Sequence, residues 1–191
     1  MSDSNIYYKY LKYKMKYLIK GGDNNNYCLN DFENVKMFKK LGGGLEANIF
    51  KRLNTTIAYK VYILTKEIEK GAWGKPLQLK GGGITLKKFE EVCVKYKNAS
   101  DKKFGPIYFG SYTTKCNNTN IAVIIMQAID GDTVLKLKKT HRWTDTLETG
   151  FKNFKQELYA NSIIDKSDLT NDEHDDNFMV DINGKFYAID F

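Results

Sequence analysis

Apolar and polar residues alternate over five short runs: Met37–Leu41, Ala47–Leu53, Thr56–Leu64, Ile107–Thr113 and Ile121–Gln127. Each run is rich in β-branched and aromatic residues and is bounded by Gly or Asn clusters, which predicts strands of an antiparallel sheet. The period changes over Leu86–Lys97, where Phe89, Val92, Cys93 and Tyr96 share one helical face. A second helix is predicted from Asp145 to Ile163, with Phe151, Phe154 and Leu158 as its apolar stripe. Between the third strand and the first helix, Gly71–Gly83 reads as a flexible Gly/Lys-rich loop. Near the end, Asn177–Asp181 and Lys185–Phe191 flank Ile182-Asn183-Gly184, a hairpin signal. The predicted order is therefore three strands, helix, two strands, helix, hairpin, an α+β chain without internal repeats.

The leading segment, Tyr7–Lys20, has a different texture. Lys9, Lys12, Lys16 and Lys20 fall near one helical face, and Leu11, Met15 and Leu18 on another. Alternation across Tyr13–Tyr17 keeps a strand open, Gly21-Gly22 ends the segment, and Asp23–Asn26 reads as a linker. It is either a solvated extension or a basic amphipathic element that docks on an anionic membrane or on nucleic acid.

Hydrophobic residues make up 42% and charged residues 28% of 191, a balance that predicts a globular rather than a disordered chain. No apolar run approaches the ~20 residues of a membrane-spanning helix, and Met1–Ile6 lacks the start of a secretory signal. The net charge of +7 favours anionic partners without choosing among them. Cys28, Cys93 and Cys116 are scattered and odd in number, which fits a reducing, cytoplasmic setting and argues against a disulfide framework. With only His141 and His174 beside them, a zinc cluster has few ligands to draw on, and the absence of a G-x-S-x-G elbow argues against hydrolase chemistry.

Three stretches carry candidate chemistry. The first is Gly42-Gly43-Gly44 followed by Leu45-Glu46-Ala47, at the first predicted hairpin. Glycines let backbone N–H groups approach a polyphosphate without an intervening Cβ. No Gly-Lys-Ser/Thr follows, so this is not a P-loop, and a strand rather than a helix comes next, so it is not a dinucleotide fingerprint. A plain turn explains a triple glycine equally well. The second is Ala58-Tyr59-Lys60-Val61: a lysine inside an apolar strand needs a paired charge, unless its ammonium snorkels off an edge. Glu91, and after it Glu90, is the nearest carboxylate on the following helix. The third is Asp172-Glu173-His174-Asp175-Asp176-Asn177, then Tyr187-Ala188-Ile189-Asp190-Phe191. Phosphoryl transfer needs one carboxylate for the attacking hydroxyl and oxygen ligands for Mg²⁺. Asp172 would supply the first, Asn177 and Asp190 the second. An acidic turn beside an ordinary hairpin is the plainer alternative.

Taken together, the stretch from Phe38 to Phe191 resembles the eukaryotic-like protein kinase superfamily, in particular its atypical branch with H-x-D-x-H-x-x-N loops, as in aminoglycoside and other small-molecule kinases. The leader resembles the Lys/Tyr-rich amino termini of proteins from large DNA viruses. The resemblance implies a five-stranded antiparallel N-lobe with one helix (residues 35–130, after an extension over 1–34). It also implies a reduced, mostly helical C-lobe over 131–191, ending in a β-hairpin. It implies ATP and Mg²⁺ as cofactors, and a hydroxyl acceptor on a protein Ser/Thr or a small molecule. The nucleotide-binding set it implies is Gly42, Gly43, Gly44, Ala47, Ala58 and Lys60, with Gln127 and Ile129 in an adenine-binding hinge over Ile125–Ile129. Lys60 pairs with Glu91, Asp172 is the catalytic base, and Asn177 and Asp190 hold the metal.

Departures from the pattern accompany it. Thr170 stands in place of the first loop histidine. Asp168-Leu169 offers a competing register that leaves too many residues before Asn177. The sequence stops at Phe191, with no glycine after Asp-Phe. The alternative expectation is therefore a catalytically impaired pseudokinase that holds nucleotide or a protein partner. Host cytoplasm, or a virion, is the expected location.

Overall fold

The structure is a computed structural model that describes residues 27–43, 47–65, 83–164 and 175–190. It divides into two compact units: Met1–Glu90 with Tyr108–Gln127, and Glu91–Ile107 with Ala128–Phe191. The basic leader, Gly44, most of the Gly71–Gly83 loop, Asp168-Leu169, Thr170, Asp172, His174 and Phe191 lie outside the described residues.

The first unit is built on a five-stranded antiparallel sheet in the order β1-β2-β3-β5-β4. Its strands are β1 (Phe38–Gly43), β2 (Ala47–Arg52), β3 (Ile57–Ile63), β4 (Tyr108–Cys116) and β5 (Thr119–Gln127). All five predicted strands are present, because alternation, β-branching and polar punctuation coincide in each. Two connections turn on asparagine in the left-handed region, Asn54 (φ 59°) and Asn117 (φ 54°), a conformation asparagine tolerates better than most residues. Thr55 supports the first turn by donating its hydroxyl to the Arg52 carbonyl at 2.9 Å.

One face of this sheet is covered by the segment before β1. A single turn of helix, α1 (Leu29–Phe32), is held at its start by the Cys28 N–H donating to the Asp31 carboxylate at 2.7 Å. It delivers Phe32 into an aromatic cluster with Tyr27, Phe38, Phe50 and Tyr59, ring centroids 5.0–5.9 Å apart. Ile57, Val61, Ile121 and Val123 complete that core. Burial of these side chains, at roughly 1.5–3 kcal/mol each, is what fixes the segment on the sheet.

Cys28 and Cys116, 88 residues apart, are joined in a disulfide with Cα atoms 5.4 Å apart, beside the same cluster. This overturns the expectation that the cysteines are all thiols. Cys93 is not part of a disulfide. Linear spacing carries no signal for a pairing across so long a loop.

The second unit contains a three-stranded antiparallel sheet in the order β6-β7-β8, with β6 at Gly131–Thr133, β7 at Phe178–Asp181 and β8 at Phe186–Ala188. The predicted terminal hairpin is β7–β8, but it is not a lone hairpin on a helical lobe: β6 adds a third strand. Its turn is closed by Asp181, whose Oδ1 accepts from the Asn183 and Lys185 N–H groups at 2.9 Å each, with Gly184 at φ +79°. Gly131 is required by close approach, since a Cβ there would lie 2.0 Å from the Val180 carbonyl oxygen.

Two helices follow β6. They are α3 (Val134–Lys139) and α4 (Asp145–Ala160), their first turns capped by the hydroxyls of Thr133 and Thr144, which accept from Lys136 N–H and Leu147 N–H. Phe151 and Leu158 of α4 pack with Val134, Leu137, Phe178, Val180 and Ala188 in a second core, with Trp143, Phe154 and Phe186 at its margin.

The remaining helix, α2 (Leu86–Asp101), lies partly in each unit by sequence, the division falling after Glu90. Its buried positions are Phe89, Val92, Tyr96, Ala99 and Ser100, so the predicted face is the buried one. Among the described residues, no helix is long and apolar enough to cross a membrane.

Candidate functional site

In the first unit the ladder registers align Gly42, Ile49, Lys60 and Ile124 in one cross-strand row over β1, β2, β3 and β5. Directly paired residues project to the same side of a sheet, and so do residues two apart on a strand. Ala58 and Lys60 therefore share a face, together with Ala47, which pairs with Tyr62. This is the face opposite the aromatic cluster, which takes Ile57, Tyr59 and Val61. On it Tyr62 meets Phe89 of α2, ring centroids 5.7 Å apart.

Lys60 is only 4% exposed, and its Nζ stands 5.6 Å from the centroid of the Tyr62 ring. A lysine here is buried mid-strand, not snorkelling from an edge. The sheet edge at Gly42 is shaped by a bulge: Lys40 pairs with Phe50 and Gly42 with Ile49, leaving Leu41 extra and exposed. A Cβ at Gly42 would meet nothing within 4 Å among the described residues, so no packing against them demands glycine there. At Gly43 a Cβ would meet the Asn48 side chain at 2.5 Å.

Gln127 is set differently. It pairs with Ile57, on the aromatic-cluster face, so its side chain does not join the Lys60 row, and what it can offer a ligand is backbone.

The second unit brings another set together. A single 3₁₀ turn, Asp175–Asn177, leads into β7. The Asn177 carbonyl accepts from the Ile189 N–H at 2.8 Å, which makes Asn177 and Asp190 neighbours at the end of the β7–β8 pair. The Asp190 side chain is exposed and Asn177 half-buried. The Ile189 carbonyl in turn accepts from the Tyr96 hydroxyl of α2, and the Ala188 N–H donates to the Phe104 carbonyl at 2.8 Å. Burial holds the Tyr96 phenol pKa well above its usual value, and the Asp190 carboxylate adds to the shift. Glu91 is exposed on α2 and Ile129 half-buried before β6.

The acidic string also contains a buried member. Asp175 is 2% exposed and forms an ion pair with Lys138 of α3, Oδ2 to Nζ 2.7 Å, while its Oδ1 has no hydrogen-bond partner among the described residues. Lys138 stacks over the Trp143 and Phe151 rings, 5.3 and 5.9 Å from their centroids. Sequence reasoning assigned no role to Asp175, Lys138 or Tyr96. Asp175 was hidden among equivalent-looking acids, and a tyrosine on an apolar helix face reads as core.

The donor chemistry of Asn177 and Asp190 suits Mg²⁺, which takes one or two protein oxygens and completes its shell with phosphates and water. No cluster of three or more His, Cys, Asp or Glu residues able to hold a metal occurs among the described residues. A metal of this kind would depend on the amide oxygen and the nucleotide. No protein-family model matches the chain, and no curated protein matches it.

Proposed function

We propose that this chain is the ATP- and Mg²⁺-binding core of a protein-kinase-like phosphotransferase. One observation carries the proposal: the Ile189–Asn177 backbone hydrogen bond, which sets Asn177 against the residue that precedes Asp190, a carboxamide and a carboxylate of the kinds that suit Mg²⁺. The glycines Gly42 and Gly43 at the end of β1, a buried lysine on β3 and a helix after β3 support it.

In this reading the backbone around Gly42 and Gly43 approaches the phosphates, and Lys60 neutralises them. The backbone from Gln127 to Ile129 receives the adenine, and Glu91 is the carboxylate partner of Lys60. Asn177 and Asp190 would hold Mg²⁺, which would supply neutralisation of the phosphate charge. The acceptor hydroxyl oxygen bonds to the γ-phosphorus as the bond from that phosphorus to the β–γ bridging oxygen breaks. The hydroxyl proton passes to Asp172, and ADP leaves.

Thermal-shift and phosphate-transfer assays on the full chain test this. ATP with Mg²⁺ raises the melting temperature and is consumed. Lys60→Met and Asp190→Asn each reduce both effects at least tenfold, while Asp172→Asn abolishes transfer and keeps binding. Binding without transfer in the unmodified chain would make it a pseudokinase. No response to ATP would remove the reading altogether.

A further inference from the structure

We infer that Tyr96 is a positioning residue for the metal-binding carboxylate. Its buried hydroxyl fixes the peptide unit from which Asp190 departs. The inference rests on the phosphotransferase reading and adds to it a residue outside the catalytic and metal-binding sets.

The argument starts from the end of β8. Regular pairing stops at Ala188, whose N–H goes to Phe104 and whose Cα partner is Phe178. The next peptide N–H, of Ile189, goes to Asn177. The peptide after that joins Ile189 to Asp190, and its carbonyl accepts from Tyr96. Because a peptide unit is planar, the Ile189 C=O and the Asp190 N–H and Cα move together. Holding that oxygen therefore sets the rotation about the Ile189 Cα–C bond, and with it the direction in which the Asp190 side chain leaves the backbone. The two earlier hydrogen bonds fix where Ile189 is; neither fixes this rotation.

Tyr96 is suited to the task. It is 1% exposed, so its ring has one place to be, and its hydroxyl stands at the end of a rigid arm with few rotatable bonds. Phenylalanine would fill the same space and leave the Ile189 carbonyl without this donor.

The test compares Tyr96→Phe with Tyr112→Phe in the full chain. Tyr112 makes a like bond, from a partly buried hydroxyl to the Tyr27 carbonyl at 3.1 Å, in the first unit. Tyr112→Phe therefore reproduces the loss of a phenol–carbonyl bond without touching the Asp190 peptide. Binding is read by isothermal titration calorimetry, once with Mn²⁺·ATP and separately with metal-free ATP in EDTA. Tyr96→Phe should weaken Mn²⁺·ATP binding about three- to tenfold, the range expected for one hydrogen bond, and leave metal-free ATP binding unchanged. Tyr112→Phe should change neither, and adding Tyr96→Phe to Asp190→Asn should weaken Mn²⁺·ATP no further. Equal effects of the two tyrosine variants, or an unchanged Mn²⁺·ATP affinity in Tyr96→Phe, would overturn the inference and leave the phosphotransferase reading standing. Failure of the unmodified chain to bind either form of ATP would remove both.

Discussion

Tyr187 donates its hydroxyl to the Asp181 carboxylate at 3.2 Å, beneath the Lys185 ammonium 4.6 Å from its ring centroid. Burial first, and then that carboxylate, push its pKa up to about 12. The folded chain therefore keeps a proton that the unfolded chain loses near pH ~10. Tyr187 stabilises the fold fully below that pH, and the contribution disappears as the pH climbs toward about 12. Melting temperatures across this window should fall less steeply in Tyr187→Phe than in the unmodified chain, and equal slopes would refute the assignment.

The same scale shows which single residues announce themselves. Lys60 is conspicuous because it interrupts an apolar run, and the structure does bury it. Asn177 and Asp190 are conspicuous through their spacing around a hairpin, and they become neighbours. Gln127, which the resemblance places in the hinge, lies on the other sheet face by register. What no single-residue inspection reveals is a hydrogen bond between a helix tyrosine and a distant carbonyl.

Elements depend on a few contacts at their ends and joints. The pair between Lys138 of α3 and Asp175 ties a six-residue helix to the 3₁₀ turn that ends at Asn177. Lys138→Met would strand a buried carboxylate and should cost about 2–4 kcal/mol in urea unfolding, most of it recovered by adding Asp175→Asn. If the single variant unfolds like the parent, the pair is not structural. At the start of α4, Thr144→Ala removes one cap and should cost about 1 kcal/mol by the same measurement.

Long elements were legible because several signals agreed over many residues. The five strands, the two sixteen-residue helices and the final hairpin all follow the predicted order. The short ones were not. Leu135-Lys136-Leu137-Lys138 alternates like a strand yet lies in α3, where Thr133 caps the start and Val134 and Leu137 bury. The three residues of β6 are too few to show a period, and only pairing with β7 defines them.

At the scale of the molecule, the disulfide and the aromatic cluster act together in the first unit. Cys116 ends β4, and Cys28 precedes α1. Their bond restricts the unfolded chain across a long loop, an effect worth about 2–4 kcal/mol. A reducing agent should lower the melting temperature by roughly 5–15 °C, and Cys28→Ser with Cys116→Ser should melt at the reduced value in either condition. An unreduced protein insensitive to thiols would contradict the pairing. Composition suggested thiols because an odd, scattered set gives no framework to recognise; proximity appears only once β4 and the α1 segment meet in the fold.

That cross-link also makes a covalent ring of the chain from Cys28 to Cys116, with tails on either side. A protease that nicks the ring once opens it without releasing anything. On a denaturing gel the nicked protein would run as one species until dithiothreitol is added, and only then separate into two.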